Sequence, residues 1–203
     1  MRDRAVEALE TLHSGATLPY EVISVNDGGP AFDEEVVALS DKVVVYGKNR
    51  GYAAAVNAGA RAAEGAVLVI VNNDTWAPRE WDAPLVAKLA DPTVGVAFPL
   101  VKNKEDADFR AQLAGCFFAI RRETWDQVGG LNEEYGRANF EDTELFARIQ
   151  YELGLKLVAV PECRVHHYGR GTLEKIEPAV NPNFDRNKAI YESRFGDKYP
   201  FLA

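Results

Sequence analysis

The chain contains only two cysteines, Cys116 and Cys163, in 203 residues. Their separation matches no metal-ligand spacing, which excludes a cysteine metal cluster and leaves two buried free thiols as the expectation, consistent with a reducing compartment. Long apolar runs are also missing. None approaches the roughly 18 residues needed to cross a bilayer. The opening "MRDRAVEALETLH" lacks the apolar segment of a secretory leader. No transmembrane segment and a cytoplasmic location are therefore expected, with peripheral membrane attachment left open. Basic charge is in deficit: the net charge is −8 and the pI is near 5.0. General nucleic-acid binding needs a basic face, so it is not expected. Internal repeats, blocks of like charge and low-complexity segments are absent.

What is present is an apolar fraction of 47%, enough for one domain with a sizeable core. A helix is expected over residues 2–13, then a strand over 21–25 that runs into the Gly-rich turn "NDGGP". A short helix over 31–39 and a strand over 41–47 follow. Next come an Ala-rich helix over 52–64, stopped by Gly65, and the strand "AVLVIV". Pro78 suits the start of a helix over 78–90. Strands are expected in "VGVAFP", "GCFFAIRR" and "KLVAVP", with a strong helix over 139–154 before the last of these and an exposed helical tail from Asn181 to Phe195. Alternating strands and helices in the first half imply a largely parallel sheet covered by helices on both faces, with an antiparallel strand or two in the second half. In such sheets ligands gather at the carboxyl ends of the strands.

Two strand ends carry similar polar punctuation, "VND" at 25–27 and "VNND" at 71–74. Asp74 is either a turn or cap residue or a carboxylate aimed into a cleft, able to hold Mg²⁺ or Mn²⁺. Asp27, before two glycines, is either part of a turn or an acceptor for a base or ribose. "NRGYAAAVNAG", with Asn49, Gly51 and Asn57, is a tightly packed helix whose N-terminus also suits an anion. In "NFEDTEL", Glu141 and Asp142 complement a helix dipole, with Asn139 and Asp142 resembling a capping pair; alternatively one of the acids is a general base. "RVHHYGRGT" offers His166 and His167 to a metal, and Arg170 as a phosphate clamp. Trp76, Trp81 and Trp125 read as core or rim packing, with a sugar platform as the alternative.

Taken in order, "VNDGG", "NRGYAAAVNAG", "VNND", "GCFFAIRRETWDQVGGLNEEY", "FEDTELFARI", "VHHYGRGT" and the "DRN" of the tail resemble the family 2 glycosyltransferases of the GT-A fold, most nearly the rhamnosyl- and galactofuranosyltransferase branch. Asp74, Asp142 and His166 lie 68 and then 24 residues apart, similar to that family's spacing. The resemblance implies a single α/β, Rossmann-like GT-A domain over 1–203 with a mostly parallel mixed sheet. Its donor-binding half would span about 1–110, its catalytic and acceptor half about 111–180, and its helical tail 181–203. It implies an inverting enzyme that moves a sugar from a nucleotide-diphosphate donor, a UDP- or dTDP-sugar, to a hydroxyl of a glycan, a lipid-linked or another acceptor. Asp142 would be the base with Glu141 beside it. Asp74 and His166 would hold Mn²⁺ or Mg²⁺, and Asp27, Asn49, Gly51, Asn57, Asn73 and Arg170 would contact the donor. Asn72 stands where the family has an acid, and Glu144 where it has Asp. A sugar-phosphate nucleotidyltransferase and a shortened, non-catalytic nucleotide-sugar or glycan binder are the alternatives. The strand with which the family usually opens has no counterpart here. A bare sheet edge is therefore expected beside "VISVND", covered by the N-terminal helix or by a second copy in a homo-oligomer.

Overall fold

The computed structural model describes residues 4–168 and 183–203. Helix α1 (Arg4–Gly15) leads to strand β1 (Ile23–Asp27), helix α2 (Glu34–Ala38), strand β2 (Lys42–Tyr46), helix α3 (Tyr52–Ala62) and strand β3 (Val67–Val71). Then come β4 (Thr75–Trp76), α4 (Asp82–Lys88), β5 (Val94–Asn103), β6 (Arg110–Ala111), β7 (Phe117–Arg121) and α5 (Arg122–Val128). The chain closes with α6 (Glu141–Ala147), β8 (Lys156–His167) and α7 (Phe184–Phe195). None of the described helices is long and apolar enough to cross a membrane.

The main sheet runs β3-β7-β5-β8-β4, with β6 hanging on β5. β5 and β8 are parallel, whereas β7 runs antiparallel to both β3 and β5. Strands β3, β5 and β8 therefore point the same way, and one reversed strand lies among them. The antiparallel share is larger than the strand–helix alternation implied, because β7 inserts between β3 and β5. Side chains alternate across these strands, which gives two cores. Val94, Ala97, Val101, Phe117, Ala119 and Val165 meet α1 and α4 on one face. Leu68, Val96, Phe98, Phe118 and Ile120 meet α3, α5 and α6 on the other. The architecture is a mixed α/β sandwich, as the sequence implied.

β1 and β2 pair in parallel as a separate two-stranded sheet, and no described strand joins β1 to β3. α1 does not cap an edge. It sets Val6, Leu9 and Leu12 into the same cluster as Val22 of the segment before β1 and Val67, Val69 and Val71 of β3, so it covers a face. β2 alternates, with Val45 66% exposed. It is an outer strand with one open face, not the doubly covered strand that its apolar run suggested.

Three element ends depart from expectation. α4 starts at Asp82 and not at Pro78, because Glu80 turns at φ 56° and donates its N–H to the Gly15 carbonyl, while the Asp82 carboxylate accepts from the N–H groups of Thr17 and Leu18. The helix expected over 139–154 narrows to α6 and continues as a π-helical turn over Arg148–Glu152. The Asn139–Asp142 capping pair does not form: Asn139 and Phe140 both adopt left-handed backbone at φ 77° and 71°. Both cysteines are free and buried, as expected.

Candidate active site

The sequence motifs converge at the ends of β1, β3 and β8 and the start of α6. Asp27 closes β1, and its two carboxylate oxygens accept the backbone N–H groups of Arg50 and Gly51 at 2.7 and 2.8 Å. It thus braces the loop that presents Asn49, which is exposed. Gly51 is required there: its φ is 97°, and a Cβ would lie 2.1 Å from the Gly136 carbonyl oxygen. Asn57 is committed elsewhere. Its buried amide donates to the Leu131 carbonyl and accepts from the Leu131 N–H, fixing the loop before α6.

At the end of β3, Asn73 is exposed and Asp74 is buried. The ion-pair partner of Asp74 is His167, with Nε2 3.2 Å from Oδ1. Nδ1 of His167 lies 2.9 Å from Oδ1 of Asn103. Burial disfavours the protonated imidazole, but the Asp74 carboxylate and the Cys116 sulfur outweigh it and push the pKa of His167 up to about 10. His166 points to the other face of β8. There its ring meets Phe109 and Trp76 at centroid separations of 4.9 and 5.5 Å. Among the described residues, no three His, Cys, Asp or Glu side chains cluster as a metal site.

Asp142 opens α6. Its Oδ1 accepts from the Thr143 N–H at 2.7 Å, and its Oδ2 accepts from the Gly115 N–H at 3.2 Å. The carboxylate lies against Gly115 so closely that a Cβ there would be 2.7 Å from Oδ2. The Tyr52 hydroxyl donates to the Gly115 carbonyl at 2.5 Å. Burial raises the pKa of Asp142 against these hydrogen bonds, and burial with the neighbouring Asp142 charge pushes Glu141 up to about 8. Oε2 of Glu141 is buried without a hydrogen-bond partner among the described residues, whereas Asp142 remains partly accessible.

The dipeptide Gly115–Cys116 links the two halves of the site. Gly115 holds Asp142, the Cys116 carbonyl accepts from the Asn72 N–H at 2.8 Å, and the Cys116 thiol is within hydrogen-bonding reach of His167. Sequence reasoning assigned no role to Gly115, Cys116, Asn103 or Tyr52, although Gly115, Cys116 and Tyr52 lie inside quoted motifs. Arg170 lies outside the described residues.

A two-core α/β sandwich with paired loops at its strand ends and acids facing them defines a GT-A, Rossmann-like glycosyltransferase fold. Residues 2–147 match glycosyl transferase family 2, and the chain belongs to that family. Among solved structures, it resembles GalNAc-T7 with UDP, GalNAc and Mn²⁺ (18% identity, TM-score 0.73, 94% of this chain and 45% of that one). It also resembles the mannosyltransferase PcManGT from Pyrobaculum calidifontis in complex with GDP-Man and Mn²⁺ (20% identity, TM-score 0.65, 94% and 66%). A third is S. aureus TarS 1-349 in complex with UDP-GlcNAc (14% identity, TM-score 0.74, 95% and 63%). The chain thus spans 45% to 66% of the length of these structures. No curated protein matches it.

Proposed function

We propose that this chain is an inverting, divalent-metal-dependent glycosyltransferase domain that takes a sugar from a UDP- or dTDP-linked donor, with Asp142 as general base. The observation that carries the reading is the placement of Asp142. Its carboxylate has a raised pKa and is fixed by the Gly115 N–H, one residue from the Cys116 contacts to Asn72 and His167. A base must be held within reach of the proton it removes and be tuned toward the working pH.

The Asp74 carboxylate would hold a bound Mn²⁺ or Mg²⁺, with the His167 imidazole joining once the cation displaces its proton, since such ions accept one or two protein ligands and complete their shell from substrate phosphates. In this reading His167, which pairs with Asp74, stands beside the metal in place of the His166 that the family resemblance implied. Once bound, the cation would neutralise charge on the diphosphate leaving group. Asp27 keeps the loop at 49–51 in place for the nucleotide. Asp142 accepts the proton of the acceptor hydroxyl as that oxygen attacks the anomeric carbon from the face opposite the diphosphate. Two flanking acids, as in a glycoside hydrolase, are not needed, and the buried Glu141 is not placed to serve as the second.

Thermal unfolding in the presence of nucleoside diphosphates and Mn²⁺ tests the donor half. A ligand at 100 times its dissociation constant stabilises the fold by about 2.7 kcal/mol. The Mn²⁺-dependent part of that stabilisation should vanish in Asp74→Ala. An undiminished Mn²⁺ effect in that variant would remove Asp74 from the metal site.

A further inference from the structure

A cavity of about 330 Å³ shares His167 with the Asp74–His167 pair. The pairing register places Trp76, His166 and Lys102 side by side across β4, β8 and β5, and all three line the cavity with Lys104 and Tyr168. Trp76 and Tyr168 are each 39% exposed, unlike Trp81 and Trp125, which are core residues at 5% each. Large rings left open to solvent beside a polar cavity suit the apolar face of a sugar. Basic side chains gather here on a chain whose net charge is −8, with Asp106 behind them, bonded to Asn103 and paired with Arg110. Besides the two lysines, Arg4 lies over the Tyr168 ring at 5.5 Å and Arg164 over Phe109 at 6.0 Å. Lys102 Nζ donates only to a neutral partner, the Ala107 carbonyl. Among the described residues, Glu7 is the one acid in the lining.

Resting on the glycosyltransferase reading above, we propose that this cavity is the acceptor subsite and that it takes a saccharide bearing a phosphate group. The sugar stacks on Trp76 and Tyr168, and the phosphate lies between Lys102 and Lys104. The cavity adjoins the proposed metal site: His167 belongs both to the Asp74 pair and to the cavity wall, and the segment 72–74 runs from β3 directly into β4, which carries Trp76.

The test is equilibrium binding of a hexose 1-phosphate, the unphosphorylated hexose and inorganic phosphate to the full chain, each with and without saturating nucleoside diphosphate and Mn²⁺. The proposal expects the hexose phosphate to bind at least tenfold more tightly than either fragment and to remain bound alongside the nucleoside diphosphate. The double variant Lys102→Ala/Lys104→Ala should weaken the hexose phosphate tenfold or more while changing nucleoside diphosphate affinity less than twofold. Trp76→Ala should weaken hexose phosphate and leave inorganic phosphate unchanged. Displacement of the hexose phosphate by the nucleoside diphosphate overturns the proposal, as does equal binding of the neutral hexose, or loss of nucleoside diphosphate in the lysine variant. Failure of nucleoside diphosphate to bind the wild type counts against the donor reading instead, because hexose phosphate binding is also measured without it.

Discussion

Asn187, in the tail helix, should control both the stability of the chain and the position of its base. Its side chain is fully buried. Nδ2 donates to the carbonyls of Tyr135, Ala138 and Asn139 at 2.8, 2.9 and 3.1 Å. Two amide hydrogens serve three acceptors, and the acceptors belong to the turn whose next backbone steps, Asn139 and Phe140, are left-handed. Such steps persist only where the surroundings impose them. In Asn187→Ala, an orphaned buried carbonyl costs about 1–3 kcal/mol; the Tyr135 carbonyl contact is buried and those of Ala138 and Asn139 are half-buried, so with two donor hydrogens lost the total is about 2–4 kcal/mol, below the ~6 kcal/mol of two fully buried losses. Asn187→Asp preserves shape but turns a carboxyl toward carbonyls, so it should cost at least as much above pH 6. The turn also delivers Asp142 at the start of α6. Relaxation there should lower donor turnover by about 10- to 100-fold, the scale of a 1 Å misplacement, with nucleoside diphosphate affinity changed less than twofold. Urea midpoints and single-turnover rates check both effects. A stability loss below about 0.5 kcal/mol, within the range of ordinary surface substitutions, or an unchanged rate would refute the argument.

Burial raises the pKa of Asp142, so the rising limb of the pH–rate profile should lie above the ordinary aspartate range, and Glu141→Gln should leave its midpoint in place, because the Asp142 charge raises Glu141 to about 8 and Glu141 is therefore uncharged while Asp142 ionises. A midpoint at or below the ordinary aspartate value would contradict this. The same pair gives a stability prediction. The pKa of Glu141 is about 8 when folded against 4.5 as the reference value, so its contribution is complete below the unfolded pKa and is lost as pH rises through the folded one. Relative to Glu141→Gln, the wild type should lose about 1.4 kcal/mol per pH unit across that window, as read from denaturant unfolding at pH 5, 6 and 7; parallel curves would contradict it. Gly115→Ala places a Cβ 2.7 Å from Oδ2 of Asp142, and should cut turnover at least tenfold with donor affinity preserved. Equal loss of both in titration and rate assays would make Gly115 a folding residue only.

Apolar runs and glycine stops placed most strands and helices within a few residues, since burial and backbone preference act locally. The α/β class was therefore legible. What failed depended on tertiary partners. Pro78 looked like a helix start, but Asp82 is needed by Thr17 and Leu18. Asn139 looked like a cap, but its backbone is left-handed and its carbonyl accepts from Asn187. In the site, Asp74 and Asp142 were visible as acids at element ends. That His167 and not His166 pairs with Asp74 was not, because neighbours on a strand face opposite sides and the pairing with β4 sets which of them meets Asp74. Gly115 and Cys116 carried no signal of their own: one acts through its missing side chain, the other largely through its carbonyl. Asn57 looked like part of a donor-binding helix and is spent on a loop clamp.

The central claim is that Asp142 removes the acceptor proton in sugar transfer from a nucleotide-diphosphate donor. The most direct test measures nucleoside diphosphate release from a set of nucleotide sugars with Mn²⁺, comparing wild type with Asp142→Asn at matched donor saturation. The account predicts donor-dependent release that falls at least 100-fold in the variant, on the scale of general-base catalysis, while the variant binds nucleoside diphosphate as tightly as wild type. Equal release from both proteins, or pyrophosphate release from a sugar phosphate and a nucleoside triphosphate, would contradict it.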